Sequence, residues 1–275
     1  MRNFLFIIFF FVSEIYPFKI FFDYDNWELK VIKEPTDTEK EDWNYLVKSY
    51  LRTLIYDSDK ILDEFLFLHP RIERRFNHLS LTWQEKRRSF LSDGREIIEY
   101  SLSLKPLFSI IPLKTGTGIP IGPLACPLCK RPWPEDLPVP EGVKLIPYEE
   151  PNVFKENYTG IIVDARHLSL KPALFFKIYN EELKEVYSVA FADSLSLLSN
   201  GLCSYVKSLE EAFKHPKAGN FPLYISALKI TGKNKCDLII ANKDALRLHS
   251  CLNNIKLLEK CRVIVVYKDE FTFEK

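Results

Sequence analysis

The residues best suited to chemistry are two cysteines in the stretch CPLCKRPWP, residues 126–134. Cys126 and Cys129 have the spacing C-x-x-C, and three prolines favour an irregular turn around them. In such a turn two backbone amides can point at the thiolates, as in half of a zinc knuckle. Three interpretations stay open: a local disulfide or simple turn thiols, a metal site, and a redox-active pair. Cys126 and Cys129 are therefore candidate metal ligands, and zinc is the only cofactor that the sequence suggests.

The remaining cysteines do not complete an obvious site. A structural zinc ion needs four ligands, and the sequence has neither a second C-x-x-C nor an H-x-x-x-H motif. The unpaired candidates are a histidine or one of Cys203, Cys236, Cys251 and Cys261. Cys236 and Cys261 each open a short apolar strand, so their sulfurs could pair if those strands were neighbours. Buried small hydrophobic side chains are an equally good interpretation.

A second group of chemically capable residues closes the apolar stretch IIVDARH. Asp164, Arg166 and His167 stand at the end of a predicted strand, where α/β folds often place active sites. However, the chain has no recognisable nucleophile elbow, no H-E-x-x-H motif and no G-x-x-x-x-G-K motif. A structural ion pair between Asp164 and Arg166 is the favoured interpretation, and no catalytic residue is predicted.

The first residues predict export. Arg2 precedes an unbroken apolar run, Phe4–Val12, which fits a signal-peptide core and is far shorter than the roughly 20 residues that span a bilayer. Residues 1–22 are predicted to be a signal peptide or an N-terminal anchor, because no small-residue cleavage site follows. No cysteine follows either, so a lipid anchor is not expected. The alternative is a buried N-terminal strand or helix. In an oxidising compartment the six cysteines favour disulfides, and in a reducing one C-x-x-C favours metal.

The composition is that of a folded protein without a strong charge bias. The 275 residues are 47% hydrophobic and 27% charged, with a net charge of +1. Nucleic acid is therefore not an expected partner. Nine glycines stand against 17 prolines, and the glycines of LKTGTGIPIGP are interrupted by prolines, which argues against a phosphate-binding loop.

The pattern of elements predicts an α+β protein with two small domains. Residues 23–41 are polar and aperiodic and are interpreted as a linker. Helices at 41–56, 61–68 and 70–78 precede a hairpin centred on Asp93-Gly94, giving a helix-plus-hairpin domain at 42–111. Ten prolines mark residues 112–156 as a connecting segment.

Alternating strands and helices predict a mixed α/β sheet domain at 157–275. Residues 202–214 are expected to form a helix, and FPLYISALKI a strand. The remainder is expected to be a strand at CDLIIAN, a helix capped by Asn242, and a strand at CRVIVVY.

Three segments in order resemble a family of uncharacterised bacterial envelope proteins. They are YTGIIVDARHLSLKPALFFKIYNEELKEVYS, CDLIIANKDALRL and LLEKCRVIVVY, which together span residues 158–267. This chain has His167 in place of a glycine, Phe176 in place of a proline, and Leu183-Lys184 in place of a glycine turn. The resemblance implies an envelope location and no known catalytic residues. Residues 42–105 are compatible with the small upstream domain of outer-membrane lipoproteins and flagellar accessory proteins.

These observations predict a non-enzymatic exported protein of the periplasm or the outer-membrane region. Its role would be structural or scaffolding, with an accessory role in a surface machine such as the flagellum as one form of it. Other envelope proteins would be its partners, met through sheet edges, and membrane association would be limited to the N-terminal segment. The alternative function is a metal- or redox-responsive module built on Cys126 and Cys129.

Overall fold

An antiparallel sheet forms the first part of the computed structural model, which describes residues 18–33, 43–134, 136–149 and 156–268. Its strands are β1 (Phe18–Asp23), β2 (Glu28–Lys33), β3 (Trp83–Phe90) and β4 (Glu96–Ser103). They lie in the order β1-β2-β4-β3. The β3–β4 hairpin turns at Asp93-Gly94, as predicted, and Gly94 has a φ of 86°. Ile98 and Leu102 on β4 are buried in the core.

The β1–β2 hairpin corrects two sequence predictions. Residues 23–33 form a turn and a strand rather than a linker, and residues 18–22 of the predicted leader belong to β1. The local cause is Asp23, whose Oδ1 accepts hydrogen bonds from the backbone N–H groups of Asp25 (3.1 Å) and Asn26 (3.2 Å). Leu29 and Val31 then alternate into the core. Residues 1–17 and 34–42 of the predicted leader and linker lie outside the described residues.

Three short helices lie between β2 and β3 in the chain. They are α1 (Trp43–Arg52), α2 (Leu62–Leu68) and α3 (Pro70–Asn77). The Arg52 guanidinium joins them, because it donates to Asp63 Oδ1 at 2.6 Å and to Glu73 Oε1 at 3.0 Å. The first helix ends four residues before its predicted end at 56. The other two are confirmed, with proline at the first position of α3. A further short helix, α4 (Lys105–Ile110), follows β4.

Two four-stranded sheets form the C-terminal part, which confirms the α+β class. The first is parallel, with the order β10-β14-β7-β11, and its central strands β7 (Ile161–Asp164) and β14 (Val263–Val266) are fully buried. The second is mixed, with the order β12-β13-β8-β9. The remaining elements are β8 (Ile178–Tyr179), β9 (Glu185–Tyr187), α5 (Ser194–Asn200), β10 (Ser204–Val206), α6 (Leu209–Lys214), β11 (Leu223–Ser226), β12 (Lys229–Thr231), β13 (Asp237–Ile239), α7 (Asn242–Leu248) and α8 (Leu252–Glu259).

Several predicted boundaries in this part are wrong. Residues 202–214 divide into β10 and α6, and FPLYISALKI divides into β11 and β12, which join different sheets. The single helix predicted after CDLIIAN is two helices, α7 and α8. Ala241, not Asn242, is the N-cap of α7, and the Asn242 side chain instead accepts the N–H of Glu181 at 3.2 Å. Tertiary contacts override the local signals at each of these places.

One hydrophobic core runs through both predicted domains. Trp27 is 1% exposed, and its indole Nε1 donates to the carbonyl of Cys203 at 2.8 Å. The N–H groups of Leu174 and Phe175 donate to the carbonyls of Ile55 and Tyr56, each at 2.9 Å. The N-terminal helices and the C-terminal sheets are therefore packed together, and the boundaries of separate domains stay a prediction.

The proline-rich segment lies against the C-terminal part. It carries a two-stranded sheet, β5 (Leu124–Ala125) with β6 (Ile146–Pro147). The N–H groups of Gly116 and Gly118 donate to the carbonyls of Ala192 and Ala190. A Cβ at Gly118 would lie 2.6 Å from the Phe191 ring, so only glycine allows this approach. Among the described residues, no helix has the length and apolar character needed to cross a membrane.

Gly201 gives a direct test of the packing around Trp27. Gly201 has a φ of 66°, and an added Cβ would lie 2.0 Å from Trp27 Nε1. We expect Gly201→Ala to lower the free energy of unfolding by about 3 kcal/mol, combining overpacking with backbone strain. Urea unfolding of the purified chain measures this loss.

Gly94→Ala is the matched control, because Gly94 also has a positive φ but no atom within 4 Å of the added Cβ. It should cost only the backbone term, about 1 kcal/mol. Equal losses for the two variants would contradict the tight contact between Gly201 and Trp27.

Candidate functional site

The Cys126–Cys129 turn has the geometry that its sequence predicts. The N–H of Lys130 donates to the carbonyl of Cys126, and the N–H of Cys126 donates to the carbonyl of Arg131, both at 3.0 Å. Lys130 closes the turn with a φ of 61°. The Cys126 thiol receives hydrogen bonds from the backbone N–H groups of Cys129 and Leu128, and these lower its pKa. The backbone of the turn is thus fixed by main-chain hydrogen bonds at both ends.

The six cysteines are all free thiols in this structure. Cys129 is exposed and Cys126 is half-buried, whereas the other four are buried. Burial raises the pKa of the Cys203 and Cys236 thiols, and that of Cys261 to about 11, which leaves them poor nucleophiles and poor metal ligands. No group of three or more His, Cys, Asp or Glu side chains with metal-binding geometry occurs among the described residues.

The condition for a pairing of Cys236 with Cys261, that their strands be neighbours, is not met. Cys236 precedes β13 and Cys261 precedes β14, and these strands belong to different sheets. Each sulfur packs in the core, as the alternative interpretation held.

Asp164 at the end of β7 forms a structural ion pair. Its Oδ1 accepts from Arg166 Nε at 2.9 Å, and its Oδ2 accepts from Arg166 Nη2 and from the Tyr224 hydroxyl, each at 2.8 Å. The Arg166 hydrogen bonds hold the pKa of Asp164 down, at about 2. His167 Nε2 donates separately to the carbonyl of Ala227 at 2.8 Å. The ion-pair interpretation is confirmed, and Asp164 is ionised and fully engaged near neutral pH.

A cleft of about 770 Å³ lies at the carboxyl ends of β10 and β14. Lys207 follows the last residue of β10, Lys268 stands two residues after β14, and Lys171 comes from the loop after β7. The hairpin strand β1 and helix α1 form the opposite wall. The lining consists of Ile20, Phe21, Phe22, Tyr24, Tyr50, Thr53, Leu54, Ile55, Leu170, Lys171, Pro172, Lys207, Tyr267 and Lys268.

Among the described residues, the charged side chains that line this cleft are all positive. Three lysines line it, and no Asp or Glu does so among the described residues. Aromatic side chains line the wall from β1, where the ring centroids of Phe22 and Tyr24 lie 3.9 Å apart. Burial raises the pKa of Tyr50, so its hydroxyl stays protonated at neutral pH. The arrangement suits a ligand that joins an anionic group to an apolar or ring-bearing part.

A neighbouring cleft of about 550 Å³ shares part of this wall but has balanced charges. Lys30 Nζ contacts Asp23 Oδ2 at 2.6 Å, and His215 Nε2 lies 3.0 Å from Asp25 Oδ1. The N–H of Lys217 donates to His215 Nδ1, so the neutral imidazole of His215 carries its proton on Nε2. The paired charges make this the weaker binding site.

None of the three lysines was a candidate binding residue from the sequence. The available signal was their place in the sequence, because Lys207 and Lys268 follow apolar strands within two residues. Ligands of parallel sheets bind outside the carboxyl ends of strands. The second wall had no such signal, since β1 was interpreted as part of a leader.

Residues 160–269 match the family model described as Treponema pallidum Tp0624, second domain. The match covers both C-terminal sheets and nearly coincides with the range over which the sequence resembles a bacterial family, but it spans fewer than half of the 275 residues. It fits an uncharacterised bacterial protein family in this part of the chain. No curated protein matches the chain.

His249 ties the proline-rich segment to the sheets and gives a prediction for pH. Its Nδ1 accepts the N–H of Ile121 at 2.7 Å, and its Nε2 donates to the carbonyl of Val186 at 2.9 Å. Burial lowers the pKa of His249 from 6.5 to about 4. Between pH 6.5 and about 4 the His249 imidazole is protonated in the unfolded chain but neutral in the folded protein. We therefore expect acidification to pH 4.5 to lower the free energy of unfolding by about 2–3 kcal/mol. Urea unfolding at pH 7.5 and 4.5 should show this loss in the wild type and not in His249→Gln.

Asp237→Asn is the opposite control. Burial raises the pKa of Asp237 to about 6, so its contribution to stability is present below pH 4 and is lost as the pH rises through 6. On acidification the stability of the wild type relative to Asp237→Asn should therefore rise, whereas relative to His249→Gln it should fall. Two differences that do not change with pH would contradict both assignments.

Proposed function

We propose that this chain is an exported protein of the cell envelope that acts by binding another envelope component, in a structural or scaffolding role. The observation that carries the proposal is the cleft at the carboxyl ends of β10 and β14, with three lysines and aromatic walls. Its partner would present carboxylate or phosphate groups beside apolar groups. Lysine ammonium groups attract such anions as flexible point charges, and the aromatic rings supply contact area.

The state of Asp164 supports binding rather than catalysis. Both oxygens of this carboxylate are occupied by Arg166 and Tyr224, and its pKa of about 2 makes it a poor proton donor or acceptor near neutral pH. The neighbouring His167 binds a backbone carbonyl instead of this carboxylate. The hydrogen bonds of Asp164, Arg166 and His167 are thus those of a folding role.

Export agrees with the structure only if any cleavage occurs before β1. Ile20, Phe21 and Phe22 of β1 line the cleft, so a mature chain that binds there must keep residues from Phe18 onward. The apolar run Phe4–Val12, which motivates export, precedes this strand and lies outside the described residues. We therefore place the end of the leader, or the anchor itself, before residue 18 rather than at 22.

The resemblance to outer-membrane lipoproteins and flagellar accessory proteins supports a role beside a surface machine such as the flagellum. A second candidate function is the metal- or redox-responsive module on Cys126 and Cys129. Two backbone N–H groups that donate to the Cys126 thiol favour it, because they stabilise the thiolate that metals and disulfides require.

The cleft can be tested by reversing its charge. We expect Lys171→Glu, Lys207→Glu and Lys268→Glu together to abolish retention of the chain on isolated envelopes, because anion attraction becomes repulsion. Retention is measured by sedimentation of the purified full chain with envelopes from the source cells. Retention of the wild type should also weaken with added salt.

The control carries the same charge change at three exposed lysines that do not line the cleft: Lys229, Lys243 and Lys256. It should sediment with envelopes as the wild type does. Equal loss in both triple variants would show that net charge, not the cleft, governs retention. Recovery of the native chain only in the cytosolic fraction would contradict the envelope location.

A further inference from the structure

We propose that the Cys126–Cys129 turn is one half of a tetrathiolate zinc site, and that the same turn of a second copy of this chain supplies the other half. The inference concerns a site separate from the lysine cleft and does not depend on the envelope function. Zinc in structural sites is tetrahedral, and four thiolates are one of its common ligand sets. Each chain here supplies two.

The half-site is preorganised for metal. The turn is closed on both sides by backbone hydrogen bonds, from Lys130 to Cys126 and from Cys126 to Arg131. An isolated bridge between Ala125 and Pro132 fixes the two ends of the loop next to each other. Little backbone order has to be gained when the thiolates bind zinc.

The rest of the described chain does not complete this site. The four other cysteines are buried, and no cluster of three metal-binding side chains forms with Cys126 and Cys129 in the described ranges. Four of the five histidines use a ring nitrogen for a backbone group: His69 with Phe65, His167 with Ala227, His215 with Lys217, and His249 with Ile121 and Val186. In the proposed site, the other two ligands come from a second copy of the chain.

A second copy fits the shape and the charge of the turn. Leu128 stands between the two cysteines and is 90% exposed, and Cys129 beside it is exposed as well. Two turns facing each other across a two-fold axis would cover both Leu128 side chains and bring the four sulfurs together. Zn²⁺ with four thiolates carries a net charge of −2, which Lys130 and Arg131 of both copies surround with positive charge.

The binding step balances as one Zn²⁺ and four thiols giving the zinc tetrathiolate and four protons. Zinc affinity must therefore fall as the pH is lowered. No oxidant or reductant takes part, but the thiols must be reduced when the metal arrives. If the two thiols of one chain first form a disulfide, the site is closed to zinc.

The test is a zinc titration of the full chain kept under a reductant that does not bind metal. Native mass spectrometry and light scattering should show one zinc per two chains and a zinc-dependent dimer that a chelator returns to monomer. Cobalt in place of zinc should give the absorption of a tetrahedral tetrathiolate site. Acidification should release the metal and the dimer together.

Cys126→Ser with Cys129→Ser should abolish both zinc uptake and dimerisation while leaving the unfolding curve unchanged, because the exposed turn lies outside the core. His78→Ala, which removes an exposed imidazole, should leave both intact and serves as the matched control. One zinc bound to a monomer would overturn the proposal, because the chain would then complete its own site. Failure of the reduced chain to bind zinc would overturn it as well. Neither outcome bears on envelope retention through the lysines, so the two proposals fail separately.

Discussion

The buried indole of Trp27 is the contact on which the rest of the architecture depends. The indole Nε1 donates to the carbonyl of Cys203, immediately before β10. The backbone carbonyl of Trp27 accepts the N–H of Leu104, immediately after β4. The ring packs edge to face against Phe108 at 5.2 Å. Trp27 holds a φ of 54°, which costs free energy and requires the surrounding structure to fix it. One side chain thus joins the antiparallel sheet, helix α4 and the parallel sheet.

The position of the lysine cleft follows from the packing around Trp27. The β1–β2 turn places Trp27 in the core, and β1 is consequently held across the carboxyl ends of β10 and β14. Without this placement Lys207 and Lys268 would stand at an open sheet edge instead of in an enclosed cleft. The packing around Trp27 and the shape of the lysine cleft therefore depend on the same β1–β2 hairpin. Trp27 itself does not line the cleft.

The proline-rich segment shows how an irregular chain can be held without regular elements. Buried polar groups need partners, and His249 meets this need by bonding the segment with Nδ1 and β9 with Nε2. Gly116 and Gly118 add main-chain hydrogen bonds to the loop before α5. Cys129 in this segment is exposed and Cys126 is half-buried, while the backbone around them is fixed by main-chain hydrogen bonds.

The sequence by itself determined the features whose causes lie within a few residues. The Asp93-Gly94 hairpin and the proline-started helix α3 follow from local sterics and hydrogen bonding, and both were predicted. The ion pair of Asp164 with Arg166 also spans only two positions. Features that depend on distant partners were not predictable in this way. The stretch from Asp23 to Lys33 has a polar, linker-like composition, and only pairing with β4 makes it a strand. Cys236 and Cys261 precede similar apolar strands, yet chain topology sends these to different sheets. The three lysines line one cleft because the ends of β10 and β14 and the loop after β7 come together opposite β1. That arrangement is decided by long-range packing around Trp27, which no local pattern encodes.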